Sequence, residues 1–181
     1  MKFALPYDRK TIDVEIDDRN LVGILESKVE GYKPAGSQEE LIEASLDSPI
    51  GSPQLETLAK GKKNIVIISS DHTRPVPSKI ITPILLRRIR EAQPNANIKI
   101  LVATGFHRPS THQELVDKYG EEIVNREQIV MHVSTADADQ VRIGTLPSGP
   151  ATKSSATCRR LKRSCPQTIL SRNSWLIFAG F

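Results

Sequence analysis

The feature that most constrains the fold of this chain is the run of branched aliphatic residues at 65–68, Ile-Val-Ile-Ile, which changes abruptly to polar residues. Such a run is typical of a buried strand. The segment that follows, Ser-Ser-Asp-His-Thr-Arg-Pro-Val-Pro at 69–77, therefore lies at the carboxyl end of the predicted strand. Because ligands of open α/β sheets bind at the carboxyl ends of strands, this segment is a candidate binding loop.

The side chains of this first loop favour a polar, anionic small molecule. Asp71 supplies a carboxylate acceptor, Thr73 a hydroxyl group and Arg74 a rigid, forked cation. Pro75 and Pro77 restrict the backbone that carries these groups.

A second predicted strand, at 98–103, ends in the same manner, in Thr-Gly-Phe-His-Arg-Pro at 104–109. Gly105 allows a positive φ or the close approach of a ligand to the backbone. His107 supplies an imidazole, a group that can take and return a proton, and Arg108 places a cation beside it. We therefore expect the two loops to converge on one crevice.

The order of predicted elements is strand, helix, strand, helix, strand, which is typical of right-handed βαβ units. We predict an α/β, Rossmann-like domain with a parallel or mostly parallel sheet, helices on both faces, and an amino-terminal β-strand or hairpin within residues 1–17. No GxGxxG motif follows either strand, so an ordinary dinucleotide site has no direct support. The predicted strands are 64–68, 98–103 and 128–133, and the predicted helices begin near Ser37, Ser52, residue 78 and Thr111. Ser37 with Glu40 and Thr111 with Glu114 have the spacing of capping boxes.

Charge and hydropathy exclude several classes of protein. Residues 150–181 contain six basic residues and no acidic one, which leaves 19 basic against 21 acidic residues in 1–149. Because the body is slightly acidic and has few aromatic residues, nucleic acid is not an expected partner. No apolar run approaches the roughly 20 residues that span a bilayer, so we expect no membrane association and a cytoplasmic protein. Cys158 and Cys165 are expected to be free thiols.

Taken together, the motifs DHTRPVP at 71–77 and ATGFHRPST at 103–111 resemble the amino-terminal domain of the nickel-dependent lactate racemase family. Members of that family are 2-hydroxyacid racemases and epimerases that use a nickel-pincer nucleotide. The resemblance covers residues 1–149 and includes LPYDRKTIDVEI at 5–16, SPIGSPQLETLAKGKKNIVII at 48–68 and RIGTLPSG at 142–149.

This resemblance implies an isomerase acting on a small 2-hydroxyacid such as lactate. The hydrogen on C2 would leave as a hydride to the cofactor while a base takes the hydroxyl proton, and return to the other face would invert the centre. By resemblance, His107 is one of two catalytic histidines. Arg74 and Arg108 are the candidate substrate-binding residues, and Arg108 could instead only solvate its loop. The cofactor-binding residues implied are Asp71, Thr73, Arg74, Thr104 and Gly105.

From about Pro150 the resemblance breaks, and the acid-free composition is typical of translation in a shifted reading frame. We expect a 1–149 domain and a 150–181 tail that is irregular and poorly ordered, with 176–181 returning to the family pattern. The family's tethering lysine, second histidine and nickel-binding histidine would lie beyond this chain. We therefore expect no metal ligands here and no activity of the chain alone.

Simpler interpretations remain open at this stage. Asp71 and Arg74 could form a surface salt bridge, and Thr73 could cap a turn. The other three histidines are expected to be structural: His72, His112 and His132. The alternative function is a stand-alone module that binds a nucleotide or anion without catalysis, and a basic-tailed nucleic-acid-binding protein is disfavoured.

Overall fold

The computed structural model describes residues 1–145, 147–149, 151–155, 169–172 and 175–179, in two compact units, 1–35 and 36–181. In the first unit, strands β1 (Lys2–Tyr7) and β2 (Lys10–Glu15) form an antiparallel hairpin. Tyr7 pairs with Lys10, and Asp8 in the turn between them has a φ of 53°. The predicted amino-terminal hairpin is thus confirmed.

The second unit is built on a five-stranded, mostly parallel sheet in the order β5-β4-β3-β9-β8. Strands β5, β4 and β9 each run parallel to their neighbour, and β8 is antiparallel to β9. A separate antiparallel hairpin joins β6 and β7. The strands are β3 (Asn64–Ser70), β4 (Asn97–Ala103), β5 (Gln128–His132), β6 (Gln140–Thr145), β7 (Ala151–Ser155), β8 (Ile169–Arg172) and β9 (Trp175–Ala179).

The register of β3 and β4 brings the two predicted loops to the same edge of the sheet. Ser70, the last residue of β3, pairs with Ala103, the last residue of β4. The next residues, Asp71 and Thr104, therefore leave the sheet side by side. Strands β4 and β5 extend the sheet on one side of β3, whereas β9 adds on the other side. This reversal makes the carboxyl end of β3 a topological switch point, where open α/β sheets bind ligands.

The helices begin mostly where the sequence predicts. Capping boxes pair Ser37 with Glu40 and Thr111 with Glu114, as expected. The predicted start at Ser52 is wrong, because the Ser52 hydroxyl donates to the Pro53 carbonyl and the helix begins three residues later. The helices are α1 (Gln38–Asp47), α2 (Leu55–Ala59), α3 (Ser78–Ala92), α4 (His112–Tyr119) and α5 (Glu121–Arg126).

The main core lies between these helices and one face of the sheet. Ile65, Ile100 and Val102 are fully buried there against Ile89 and Tyr119, each aliphatic side chain contributing about 1.5–3 kcal/mol. A smaller cluster on the other face contains Val66 and Leu101 with neighbouring strand residues. Among the described residues, the helices therefore pack on one face of the sheet, where the main core lies. The predicted α/β class and the mostly parallel sheet are confirmed.

A buried arginine fixes α1 and α2 against α3. Arg88 is 8% exposed and bonds to Glu43 at 2.9 Å, to Asp47 at 2.7 Å and to Glu56. These carboxylates raise the pKa of Arg88, the Glu56 hydrogen bond most strongly. This ion-pair cluster therefore joins α1 and α2 to α3, and the chain enters β3 shortly after the end of α2.

The predicted tail lies largely outside the described residues, including both cysteines. Its described parts form β7, β8 and β9. No local sequence pattern predicts that Trp175–Ala179 joins the sheet beside β3. The boundary at 149 and the order of the tail stay predictions. None of the helices described is both long and apolar enough to cross a bilayer.

Candidate active site

Asp71 is the buried centre of the candidate site. It follows directly after β3, and the residue is 2% exposed. Its Oδ1 accepts hydrogen bonds from the Thr73 hydroxyl at 2.6 Å and from the Thr73 backbone N–H at 3.2 Å. Its Oδ2 is left facing the second loop. Thr73 therefore turns the carboxylate so that one oxygen is available to a partner.

That partner is His107. The second loop turns sharply after β4, because Gly105 adopts a φ of +57° and the His107 N–H donates to the Thr104 carbonyl at 3.0 Å. The turn brings His107 Nδ1 to 2.6 Å from Asp71 Oδ2. Thr104 is buried, and its hydroxyl donates to the His132 carbonyl instead of facing the crevice.

The contact with Asp71 leaves the other edge of the His107 ring accessible. The His107 side chain is 50% exposed, and its Nε2 has no hydrogen-bond partner among the described residues. A carboxylate at Nδ1 favours the neutral tautomer with a proton on Nδ1, which leaves a lone pair on Nε2. The pair can thus accept a proton from a bound molecule at Nε2 and return it.

The surroundings of Asp71 favour its ionised form. Burial raises the pKa of the Asp71 carboxyl, but hydrogen bonds from Thr73 and His107 outweigh burial and hold that pKa below its usual range. A buried cation lies nearby, because Lys118 donates to the Ser70 hydroxyl and the Arg74 carbonyl. Asp71 is therefore an anion at neutral pH.

The two arginines predicted to bind substrate have different surroundings. The Arg74 side chain is exposed and has no ion-pair partner within the described part of the chain. Arg108 forms a bidentate pair with Glu114, at 2.8 and 2.6 Å. That pair, with the Thr111 backbone N–H, lowers the pKa of Glu114 to about 2. Arg74 is thus available to an anion, whereas Arg108 already holds a carboxylate of the protein.

Comparison with known proteins identifies the family of this chain. A family model described as the lactate racemase N-terminal domain matches residues 7–158. The chain belongs to the lactate racemase N-terminal domain family. The resemblance inferred from the two loop motifs is confirmed, and the family match ends within the predicted tail.

Two curated lactate racemases are similar to this member of the lactate racemase N-terminal domain family. The protein of Lactiplantibacillus plantarum is 67% identical over 145 residues, which are 80% of this chain and 34% of that protein. The protein of Thermoanaerobacterium thermosaccharolyticum is 50% identical over the same shares. Its apoprotein structure gives a TM-score of 0.76 at 45% identity and covers 86% of this chain and 36% of that one. The chain spans about a third of the length of the curated relatives it matches.

Two residues of the candidate site in this lactate racemase domain could not be assigned their contacts from the sequence. Glu114 is predicted only as a helix cap, yet it also holds Arg108 and lies 3.6 Å from His72 Nε2. His72 bonds to the Ser110 hydroxyl at 3.0 Å, in keeping with its predicted structural role. Lys118 carries no sequence signal, because a lysine in an amphipathic helix is usually exposed.

The residues of this domain fit an anion better than a metal ion. Within the described ranges, no group of three or more histidine, cysteine or acidic side chains could hold a metal. His107 Nδ1 is already bound to Asp71. An anionic substrate or cofactor group, by contrast, suits the exposed guanidinium of Arg74. Nickel would therefore need ligands from outside these residues.

Proposed function

We propose that this chain forms the amino-terminal part of the active site of a nickel-pincer-nucleotide-dependent lactate racemase, with His107 as a catalytic acid and base. One observation carries the proposal: Asp71 holds His107 Nδ1 at 2.6 Å while Nε2 stays free of partners in the described part of the chain. The family to which the chain belongs supports lactate, or a similar 2-hydroxyacid, as the substrate.

In the proposed mechanism, the carboxylate of lactate binds to the guanidinium of Arg74, which can accept it with two hydrogen bonds. His107 Nε2 takes the proton of the C2 hydroxyl and later returns it. Asp71 stays ionised and stabilises the imidazolium that forms. When bound, the nickel-pincer nucleotide supplies the hydride acceptor for C2.

The remaining predicted residues have smaller proposed roles. Thr73 orients Asp71, and Gly105 provides the turn that presents His107 and allows a ligand close to the backbone. Thr104 holds the base of the second loop through His132. A contact between Thr104 or Gly105 and the cofactor stays a prediction.

A chimaera tests the proposal. Residues 1–149 of this chain replace the matching third of the L. plantarum lactate racemase, and lactate racemisation is measured in the protein loaded with cofactor. We expect the chimaera to be active and His107→Gln to lower kcat by about 10²–10⁴-fold, the usual contribution of general acid–base catalysis.

The control is His112→Gln, because His112 is exposed and lies five residues away in the same part of the chain. This variant should retain the activity of the chimaera. If His107→Gln is as active as His112→Gln, His107 is not catalytic and the alternative, an anion-binding module without catalysis, is favoured.

The 181-residue chain alone should not racemise lactate, with or without nickel and the pincer nucleotide, since it spans only about a third of the length of the lactate racemases it matches. Chiral chromatography of lactate after incubation measures this. Turnover above the blank that disappears in His107→Ala would contradict the expectation.

A further inference from the structure

Helix α4 carries a buried lysine, Lys118, whose ammonium group contacts the loop that contains Asp71. Lys118 is 9% exposed, although lysine is rarely buried. Its Nζ lies 3.3 Å from the Ser70 hydroxyl and 3.4 Å from the Arg74 carbonyl. These two acceptors flank Asp71 in the sequence, so one side chain contacts both ends of the segment that carries the carboxylate.

The segment between these acceptors is a tight turn. The Arg74 N–H donates to the Asp71 carbonyl at 3.3 Å, and the Val76 N–H donates to the Arg74 carbonyl at 2.8 Å. Residues 71–77 contain neither helix nor strand. Lys118 therefore joins this turn to helix α4 through two hydrogen bonds.

Burying this ammonium costs free energy that a surface lysine avoids. Burial lowers the pKa of Lys118, and the attraction of Asp71 only partly opposes that effect. An apolar side chain would fill the same space without the free-energy cost of burying a charge. The position of this cation, bonded to both ends of one loop, therefore points to a role beyond packing.

We propose that Lys118 is a positioning residue that holds the turn from Ser70 to Arg74 and thereby keeps the Asp71 carboxylate against His107 Nδ1. The role rests on the proposed function of His107, since positioning matters only if the Asp71–His107 pair works. Because the Lys118 ammonium bonds to Ser70 and Arg74, it acts through Asp71 and is not itself a catalytic residue.

Nitrogen-15 NMR of the histidine rings in the 181-residue chain tests the proposal at a pH where imidazole is neutral. In the wild-type chain we expect the Nδ1–H tautomer of His107, since that proton is donated to Asp71. In Lys118→Met, which is similar in length but has no charge and no donor, we expect a shift to the Nε2–H tautomer typical of an exposed histidine. Lys118→Arg keeps the charge and the donors and should retain the Nδ1–H form.

The matched control is Lys79→Met, because Lys79 is exposed on α3. It should leave the His107 tautomer unchanged. A purely structural role of Lys118 would lower the unfolding temperature without changing the tautomer in the folded chain. The Nδ1–H form in folded Lys118→Met would therefore overturn the proposal.

If Lys118→Met does not fold, the Ser70→Ala variant tests the proposal instead. It removes one acceptor of Lys118 and leaves the buried charge in place. A partial shift towards Nε2–H supports the proposal, and an unchanged tautomer overturns it. An Nε2–H form already in the wild-type chain would instead contradict the Asp71–His107 pair and hence the proposed function itself.

Discussion

The two loops at the carboxyl ends of β3 and β4 contain the same dipeptide, Arg-Pro, yet the two arginines have opposite surroundings. Arg74 in the first loop is exposed, with no carboxylate partner in the described part of the chain. Arg108 in the second loop forms a bidentate pair with Glu114. The first loop thus buries the carboxylate of Asp71 and exposes the guanidinium of Arg74. The second loop exposes the imidazole of His107 and pairs the guanidinium of Arg108 with a carboxylate of the protein.

This difference shows that residue type and position do not by themselves assign a role. Arg108 lies beside His107, and the sequence makes both Arg108 and Arg74 candidates for substrate binding. Helix α4 decides between them, because its first turn presents Glu114 to Arg108, while Lys118, one turn later, reaches the backbone of the other loop. Substrate binding by Arg108 stays a prediction that the contacts do not favour.

The largest effect is expected from Asp71→Asn in the chimaera. Thr73 donates two hydrogen bonds to Oδ1, so the amide oxygen of the introduced side chain should take that position and its NH₂ group should face His107. A donor at this place favours Nε2–H, the tautomer that cannot accept a proton at Nε2. We expect kcat to fall by about 10²–10⁴-fold. Asp117→Asn, at an exposed carboxylate on α4, is the control, and equal activity of the two variants would refute the orientation argument.

A direct comparison of the arginines gives the next largest effect. Arg74→Gln should raise the KM for lactate about tenfold or more, because a hydrogen bond to a charged group contributes about 1.5–3 kcal/mol. Arg108→Gln should change KM by less than about fivefold, since its guanidinium is already engaged by Glu114 and exposed ion pairs contribute little. Steady-state kinetics of the chimaera measures both. A larger effect at Arg108 would reverse the assignment.

Gly105→Ala should have a smaller effect that combines stability and geometry. The φ of +57° at Gly105 disfavours a side chain, although a Cβ would meet nothing within 4 Å, so strain alone should cost about 1–2 kcal/mol in urea unfolding. Gly51→Ala is the matched control, with a φ of +65° and equally open surroundings. Only Gly105→Ala should also shift the His107 tautomer, and an identical tautomer in both variants would mean that the turn does not position His107.

The smallest effect is expected from low pH, which weakens the ion pair between Glu114 and Arg108. The pKa of Glu114 lies at about 2 against an ordinary value of 4.5, so its pair with Arg108 is fully present above about pH 4.5 and is lost as the pH falls towards 2. Carbon-13 titration of the Glu114 carboxyl measures the midpoint, and Arg108→Gln should raise it. A midpoint that does not change in that variant would show that Arg108 is not the partner.

The sequence predicts the fold and the Asp71–His107 site better than it predicts the supporting contacts. Apolar runs identify β3 and β4, and Ser37 and Thr111 identify two helix starts, because these signals act within a few residues. The Asp71 and His107 contact follows from parallel register. The partners of Arg108 and Lys118 depend instead on where α4 packs, and the place of Trp175–Ala179 depends on pairing with a distant strand.

That distant pairing has a consequence for how the protein is made. Strands β3 and β9 are neighbours in the sheet but lie roughly 110 residues apart in the sequence. At about 5–20 residues per second, a ribosome needs on the order of ten seconds to add the partner after β3 has been synthesised. During that time β4 can cover one side of β3, while the other keeps unpaired backbone groups, a template for aggregation. We therefore expect aggregation of the nascent chain to begin at β3, the strand that leads into the Asp71 loop.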